Sequence, residues 1–141
     1  MRLHRYNGAC HCGNIQLEFQ SAREAGEFRP RSCDCSFCRK HGATYVSDPS
    51  GKLSLAIRDR RELNSYRQGS ESADFIVCRT CGVLAAVVFS ADGRLYAAVN
   101  AKTIENSEAL GQAVAVSPWK LGADEKRARW QEIWFADVSI A

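Results

Sequence analysis

Seven cysteines in 141 residues, set in three tight clusters, restrict this chain more than any other feature. The clusters are Cys10-His11-Cys12-Gly13, Cys33-Asp34-Cys35-Ser36-Phe37-Cys38 and Cys78-Arg79-Thr80-Cys81-Gly82. An odd count leaves no complete disulfide framework. Cysteines two or three residues apart are poorly spaced for structural disulfides and well spaced for gripping one metal ion. The first and third clusters each end in Cys-Gly. A metal-binding knuckle turns the chain sharply so that backbone N–H groups face the thiolates, and glycine permits the positive φ such a turn needs. Together these two clusters supply four sulfurs, which predicts a closed tetrahedral zinc site on Cys10, Cys12, Cys78 and Cys81. Such a site staples chain segments about 70 residues apart and organises the fold around itself.

The middle cluster differs. It offers Cys33, Cys35 and Cys38 without an immediate glycine. Three protein ligands and one open position form the pattern of a reactive zinc site, with Ser36 and Arg39 near enough in sequence to orient it. His41 is the alternative fourth ligand, which would close the site as a structural Cys₃His centre. Other groupings of the seven cysteines stay open, since spacing does not fix pairing. The ligand set limits the chemistry. Three thiolates on Zn²⁺ leave a core of charge −1, which makes bound water a poorer source of hydroxide than at a three-histidine site. A soft sulfur site suits a soft ligand, namely a substrate thiol, held deprotonated near neutral pH. That thiolate can attack an electrophilic carbonyl.

The length fits a single domain, 1–141, and the 45% apolar and 25% charged content is ordinary for a globular chain. No apolar run approaches the length of a membrane span, and the N-terminus lacks a signal core, which predicts a cytoplasmic protein. The formal charge is +3, but seven thiolates and two zinc ions bring it to about zero, so a general nucleic-acid surface is not expected. The basic runs at Arg58, Arg60 and Arg61 and at Lys126, Arg127 and Arg129 read as solvated faces. The expected fold class is mainly β: short antiparallel strands with minor helix, stapled by zinc. Ile15, Leu17 and Phe19 alternate over 14–20, as in a half-buried strand. Further strands are expected at 43–47, 53–57, 63–67, 74–78, 83–89, 94–100 and 133–140, with Asp92-Gly93 as a hairpin turn. Short helices are expected at 103–111 and 123–130.

On these residues the sequence resembles the glutathione-dependent formaldehyde-activating enzyme family, which includes centromere protein V. The resemblance is carried by Gly8-Ala9-Cys10-His11-Cys12-Gly13, by the stretch from Cys33 to Gly42, and by Cys78-Arg79-Thr80-Cys81-Gly82. Val99-Asn100-Ala101-Lys102-Thr103-Ile104 is also similar, and the resemblance runs from about residue 8 to about residue 106. Ser117-Pro118-Trp119 is similar to a Pro-Trp element of some members. The resemblance implies a β-tent fold with structural zinc on Cys10, Cys12, Cys78 and Cys81 and a second, catalytic zinc on Cys33, Cys35 and Cys38. It implies glutathione and formaldehyde as partners, joined as S-hydroxymethylglutathione in a carbon–sulfur lyase reaction. Arg39 and Lys40 are candidates for the glutathione carboxylates by charge and position.

His11 lies between two ligands and is expected to turn outward, while His4 has no partner in the sequence. Trp119, Trp130 and Trp134 read as core or interface aromatics, and Asp34 as a solvated turn residue. A zinc-stapled binding module that catalyses nothing is the alternative function, favoured if the middle site is closed or empty. A methionine sulfoxide reductase needs a reactive cysteine beyond its zinc ligands, and the two clusters consume all seven.

Overall fold

The computed structural model describes residues 2–141 and is mainly β. Its strands in chain order are β1 (His4–Ala9), β2 (Ile15–Ser21), β3 (Arg31–Cys33), β4 (Thr44–Val46), β5 (Lys52–Ile57), β6 (Leu63–Tyr66), β7 (Asp74–Cys78), β8 (Leu84–Ala91), β9 (Arg94–Asn100), β10 (Val114–Val116) and β11 (Asp137–Ile140). The helices are α1 (Ser36–His41) and α2 (Ala123–Ile133). Four strands form one sheet in the order β1-β2-β5-β11, and seven form the other in the order β10-β3-β4-β9-β8-β7-β6. Pairing is antiparallel except at two edges, where β10 runs parallel to β3 and β11 parallel to β5.

The period-two pattern decides how the sheets meet. Strand β2 buries Ile15, Leu17, Phe19 and Ser21 and turns the residues between them outward. Leu17 and Phe19 join Leu53 and Leu55 of β5 against Val46, Ala86, Val88, Ala97 and Val99 of the larger sheet. Phe28 and Phe135 fill the same layer, each packing its ring on Phe19. On the opposite face of β8, Val87 and Phe89 pack with Tyr45, Ala98 and Trp134. That second layer also holds Trp130 of α2 and Cys38 of α1. Strand β8 is therefore buried on both faces, which accounts for its unbroken apolar run.

The expected strands fall where the apolar patterns place them, with three differences. The 133–140 strand begins only at Asp137, because α2 continues through Ile133 and Phe135 bridges to Ala97 instead. The 103–111 helix does not form. The Asn100 side chain accepts the Lys102 N–H and closes a short turn over Ala101–Thr103, and Asn106 takes a positive φ of 58° that interrupts any continuation. The remaining strands β1, β3 and β10 and helix α1 carry too little periodicity to be read from sequence. Asp92 and Gly93 both take positive φ between paired Ala91 and Arg94, as a two-residue hairpin requires. No helix among the described residues is long and apolar enough to cross a membrane.

Candidate metal centres

Two turns on different sheets build the first centre. Both begin alike: the Cys10 N–H bonds to the Ile15 carbonyl at 2.9 Å, and the Cys78 N–H to the Val83 carbonyl at 3.0 Å. Each is closed by its glycine, with the Gly13 N–H on the Cys10 carbonyl and the Gly82 N–H on the Cys78 carbonyl. The φ values are 83° at Gly13 and 80° at Gly82, so both positions need a residue free to adopt the left-handed region. The Ile15 N–H points at the Cys10 sulfur at 3.3 Å, as expected of a knuckle.

The four sulfurs of Cys10, Cys12, Cys78 and Cys81 all lie within 4.8 Å of one another. Cys12 stands 3.8 Å from Cys10 and 3.5 Å from Cys78. A tetrahedral ion with metal–sulfur bonds of about 2.3 Å needs sulfur–sulfur edges of about 3.8 Å, so the donors fit such an ion. Cys10 and Cys78 are 3% and 0% exposed and pack with Ile15 and Ala85, while Cys12 faces solvent. At Cys81, burial works against the thiolate, but the backbone N–H groups of Cys12 and Val83 and the neighbouring thiols outweigh it and lower its pKa to about 6. The centre thus joins the β1–β2 turn of the small sheet to the β7–β8 turn of the large one.

The second centre lies on the other side of the large sheet. Cys33 ends β3, Cys35 caps the N-terminus of α1, and Cys38 lies within that helix. The cap is the sulfur itself: the Cys38 N–H bonds to the Cys35 Sγ at 3.3 Å. Gly42 ends the helix at φ 64°, its N–H on the Arg39 carbonyl at 3.2 Å, and the Ala43 N–H bonds to the Cys38 carbonyl. The buried Tyr45 hydroxyl lies 3.2 Å from the Cys38 sulfur, and the Gln68 amide reaches the Cys35 sulfur at 3.8 Å. The three sulfurs lie within 4.8 Å of one another, and among the described residues no histidine or carboxylate joins that group. The thiols share their protons unequally. Contact with the Cys38 thiol lowers the pKa of Cys33 to about 6, while Cys33 and burial push Cys38 far up. Burial, reinforced by Cys38, also keeps the Tyr45 hydroxyl protonated.

Beside this centre opens a cavity of about 320 Å³, into which Cys33, Cys38 and Tyr45 face. Strand alternation puts Arg31 on the same side as Cys33, and β4 pairs Tyr45 opposite Arg31. Phe75, Val87, Val116, Leu121, Trp130 and Trp134 make the walls largely apolar. A smaller recess of about 60 Å³ reaches Cys33 and Cys35 from the Gln68–Ala73 side.

His41 does not join the three-sulfur group. Its ring packs on Phe37 at 4.7 Å, and with exposed His11 it lines a separate groove beside Lys102. Ser36, Arg39 and Lys40 are exposed on α1, and neither basic residue lines the cavity. Trp130 and Trp134 stack at 4.6 Å and form part of the cavity wall. Asp34 is a fastening, not an idle turn residue. Its carboxylate accepts from the Ser117 hydroxyl at 2.7 Å and the Trp119 indole N–H at 2.6 Å, bonds that hold its pKa below the usual carboxylate range. They tie the 116–121 loop to the second centre. The Lys126–Arg129 run is not simply a solvated face: Lys126 donates to Ser70, Arg127 pairs with Asp124, and Arg129 lines the cavity. Sequence reasoning passed over Arg31, Tyr45 and Gln68; the first becomes visible once β3 is recognised, since it stands two residues before Cys33.

A family model described as "Glutathione-dependent formaldehyde-activating enzyme" matches residues 5–118 of this chain. The crystal structure of a Rhodobacter sphaeroides protein, solved as a structural-genomics target, is similar at 26% identity and a TM-score of 0.54. The match covers 96% of this chain and 99% of that one. No curated protein matches the chain.

Proposed function

This chain belongs to the glutathione-dependent formaldehyde-activating enzyme family, and from that premise we propose that it joins a small thiol, glutathione, to a small aldehyde, formaldehyde, at the Cys33/Cys35/Cys38 centre. The observation that carries the reading is the convergence of three sulfurs at the edge of a cavity, without a fourth protein ligand among the described residues. Both cysteine groups are assigned zinc: their donors are all sulfur, and the spacing of the four-cysteine group suits tetrahedral zinc. The Cys10/Cys12/Cys78/Cys81 ion is structural in this reading. Zinc held by Cys33, Cys35 and Cys38 would accept a substrate thiol and lower its pKa.

The chain's own groups prepare that position. The N–H of Cys38 and the amide of Gln68 orient the Cys35 sulfur, and the Tyr45 hydroxyl orients that of Cys38. Hydrogen bonds to a thiolate reduce its charge and fix its direction, as other outer partners do for metal ligands. Asp34 holds Ser117 and Trp119, which fixes the loop that supplies Ser117 and Pro118 to the cavity lining. The apolar walls keep competing water low. Adduct formation makes one carbon–sulfur bond, and the thiol proton ends on the former carbonyl oxygen. Nothing is oxidised or reduced, and the reverse reaction cleaves the same bond.

Exchange NMR tests the proposal. Protein carrying two zinc ions per chain should accelerate interconversion of formaldehyde and glutathione with the adduct. No acceleration over buffer at full metal content would leave a zinc-stapled binding module as the better description.

A further inference from the structure

A second groove lies apart from the cavity beside Cys33. It encloses about 540 Å³ between the β1–β2 turn, the end of α1 and the turn that follows β9. Its ionisable lining residues are His11, His41 and Lys102, and no carboxylate joins them. All three are exposed, and none belongs to an ion pair among the described residues. The other polar side chains of the groove are already committed. Asn100 donates to the Leu84 carbonyl at 2.9 Å and accepts the Lys102 N–H at 3.1 Å, and the Thr103 hydroxyl donates to the Asn100 carbonyl at 2.7 Å. These bonds fix the backbone that carries Lys102. They leave its ammonium and the imidazole N–H groups as the side-chain donors for a ligand, since a histidine keeps an N–H in either protonation state. Val83 and Leu84 add apolar surface, and a Cβ at Gly82 would meet only open space, so the wall there is bare.

We propose that this groove binds a phosphate monoester, with the phosphoryl group held by Lys102, His11 and His41 and the organic part resting on Val83 and Leu84. Charge selects an anion, because one ammonium and two N–H donors line the groove without an acid. The origin of the donors selects a tetrahedral oxyanion. They come from three separate segments, and a phosphoryl group offers three strong acceptor oxygens in different directions. A carboxylate keeps its acceptors in one plane and pairs best with a single guanidinium fork, which this groove lacks. Lysine, by contrast, meets phosphate well as a compact point charge. The volume lies within the roughly 300–1,000 Å³ of small-molecule sites, which calls for an organic part beyond the phosphoryl group.

The competing explanation is that Lys102 merely offsets the negative charge that four thiolates and one zinc ion would leave on the first centre, whose turns carry His11 and Gly82. Calorimetric titration of zinc-loaded protein with phenyl phosphate and with benzoate separates the two, and amide NMR locates the ligand. The wild type should bind phenyl phosphate at least about tenfold more tightly than benzoate, with shifts concentrated at Gly82, Val83, Lys102 and Thr103. Lys102→Gln should weaken phenyl phosphate by about tenfold, the loss of one charge-assisted hydrogen bond, and His41→Ala by about fivefold, both variants keeping two zinc ions per chain. Arg94→Gln removes an exposed cation from the β8–β9 hairpin, outside the groove, and should leave binding within about twofold. A loss at Arg94→Gln equal to that at Lys102→Gln would reduce the effect to general attraction and overturn the site. Shifts at Cys33–Cys38 and Tyr45 in place of the groove would put the anion on the second centre and overturn it as well. Equal affinity for benzoate overturns the phosphate assignment. No binding of phenyl phosphate by the wild type, together with zinc lost from Lys102→Gln, decides for neutralisation.

Discussion

Cys78→Ser should cost far more stability than Cys35→Ala, although each removes one sulfur from one centre. The difference lies in what each centre connects. Cys12 and Cys78 are 66 residues apart and belong to turns on different sheets. A cross-link closing a loop of that length restricts the unfolded chain by about 4 kcal/mol. With a cooperative transition in a chain of this size, the loss should lower the melting temperature by about 10–15 °C. Cys78 is 0% exposed, so the serine hydroxyl is buried away from bulk solvent and adds to the loss. Cys35 and Cys38, by contrast, are three residues apart and close no long loop. Cys35→Ala forfeits the sulfur cap on the Cys38 N–H, about 1 kcal/mol, or about 3 °C. The assay is thermal unfolding by circular dichroism on protein purified with zinc, paired with elemental analysis. Cys35→Ala should hold about one zinc per chain with a near-native melt. Equal melting losses in the two variants, or a Cys78→Ser protein that melts like the wild type with both ions retained, would show that the first centre is not the staple.

Other consequences can be measured separately. Tyr45→Phe removes the hydroxyl 3.2 Å from the Cys38 sulfur and should weaken zinc at the second centre by about 10- to 100-fold in competition with a chromophoric chelator, with the fold kept. His41→Ala should leave zinc content unchanged at two per chain, and loss of one ion would restore the closed Cys₃His site. Gly8→Ala should destabilise by about 1–3 kcal/mol, read from urea unfolding, because a Cβ there collides with the Thr103 carbonyl. Asp74 is held below the usual carboxylate range chiefly by its hydrogen bonds to Arg67. A depressed carboxylate stabilises above its unfolded pKa of about 3.9, and that contribution disappears as pH falls through the lowered value. The melting advantage of wild type over Asp74→Asn should therefore be present at neutral pH and vanish near the acid limit.

What sequence could disclose follows from how locally each feature is encoded. The cysteine groups are legible because their spacing and trailing glycines act within a few residues, and the φ values at Gly13 and Gly82 bear that out. Strand β2 is legible because Ile15, Leu17 and Phe19 alternate against a deep core. Strand β1 is not, since its inward positions are His4, Tyr6 and Gly8. Gly8 is there because the backbone at Thr103 comes too close for a side chain, a fact of tertiary approach. Helix α1 is hidden inside the ligand loop, with a cysteine as its cap in place of the usual oxygen side chain. The 103–111 stretch misleads in the other direction, because the Asn100 cap and the positive φ at Asn106 favour separate short turns.

The cavity explains why the surroundings of the second centre were harder to read than its cysteines. Arg31, Tyr45 and Arg129 come from β3, β4 and α2, segments that meet only after the register Arg31↔Tyr45 is set and Ser47 anchors the end of α2 through the Ile133 carbonyl. The same register separates the two centres. Cys10 and Cys78 pack in one apolar cluster with Ile15 and Ala85, while Cys33 and Cys38 pack in another beneath α2. Burial of Cys10 and Cys78 suits an ion that is held for the life of the fold. The second set of sulfurs opens onto a cavity, where an ion held by three cysteines would keep one position free to exchange ligands while an ion in the first centre would keep the sheets joined. A fold of this size could keep an exchangeable site rigid because rigidity is supplied elsewhere, by β8, buried on both faces, and by four cysteines from turns of both sheets whose sulfurs converge where one ion would tie sheet to sheet.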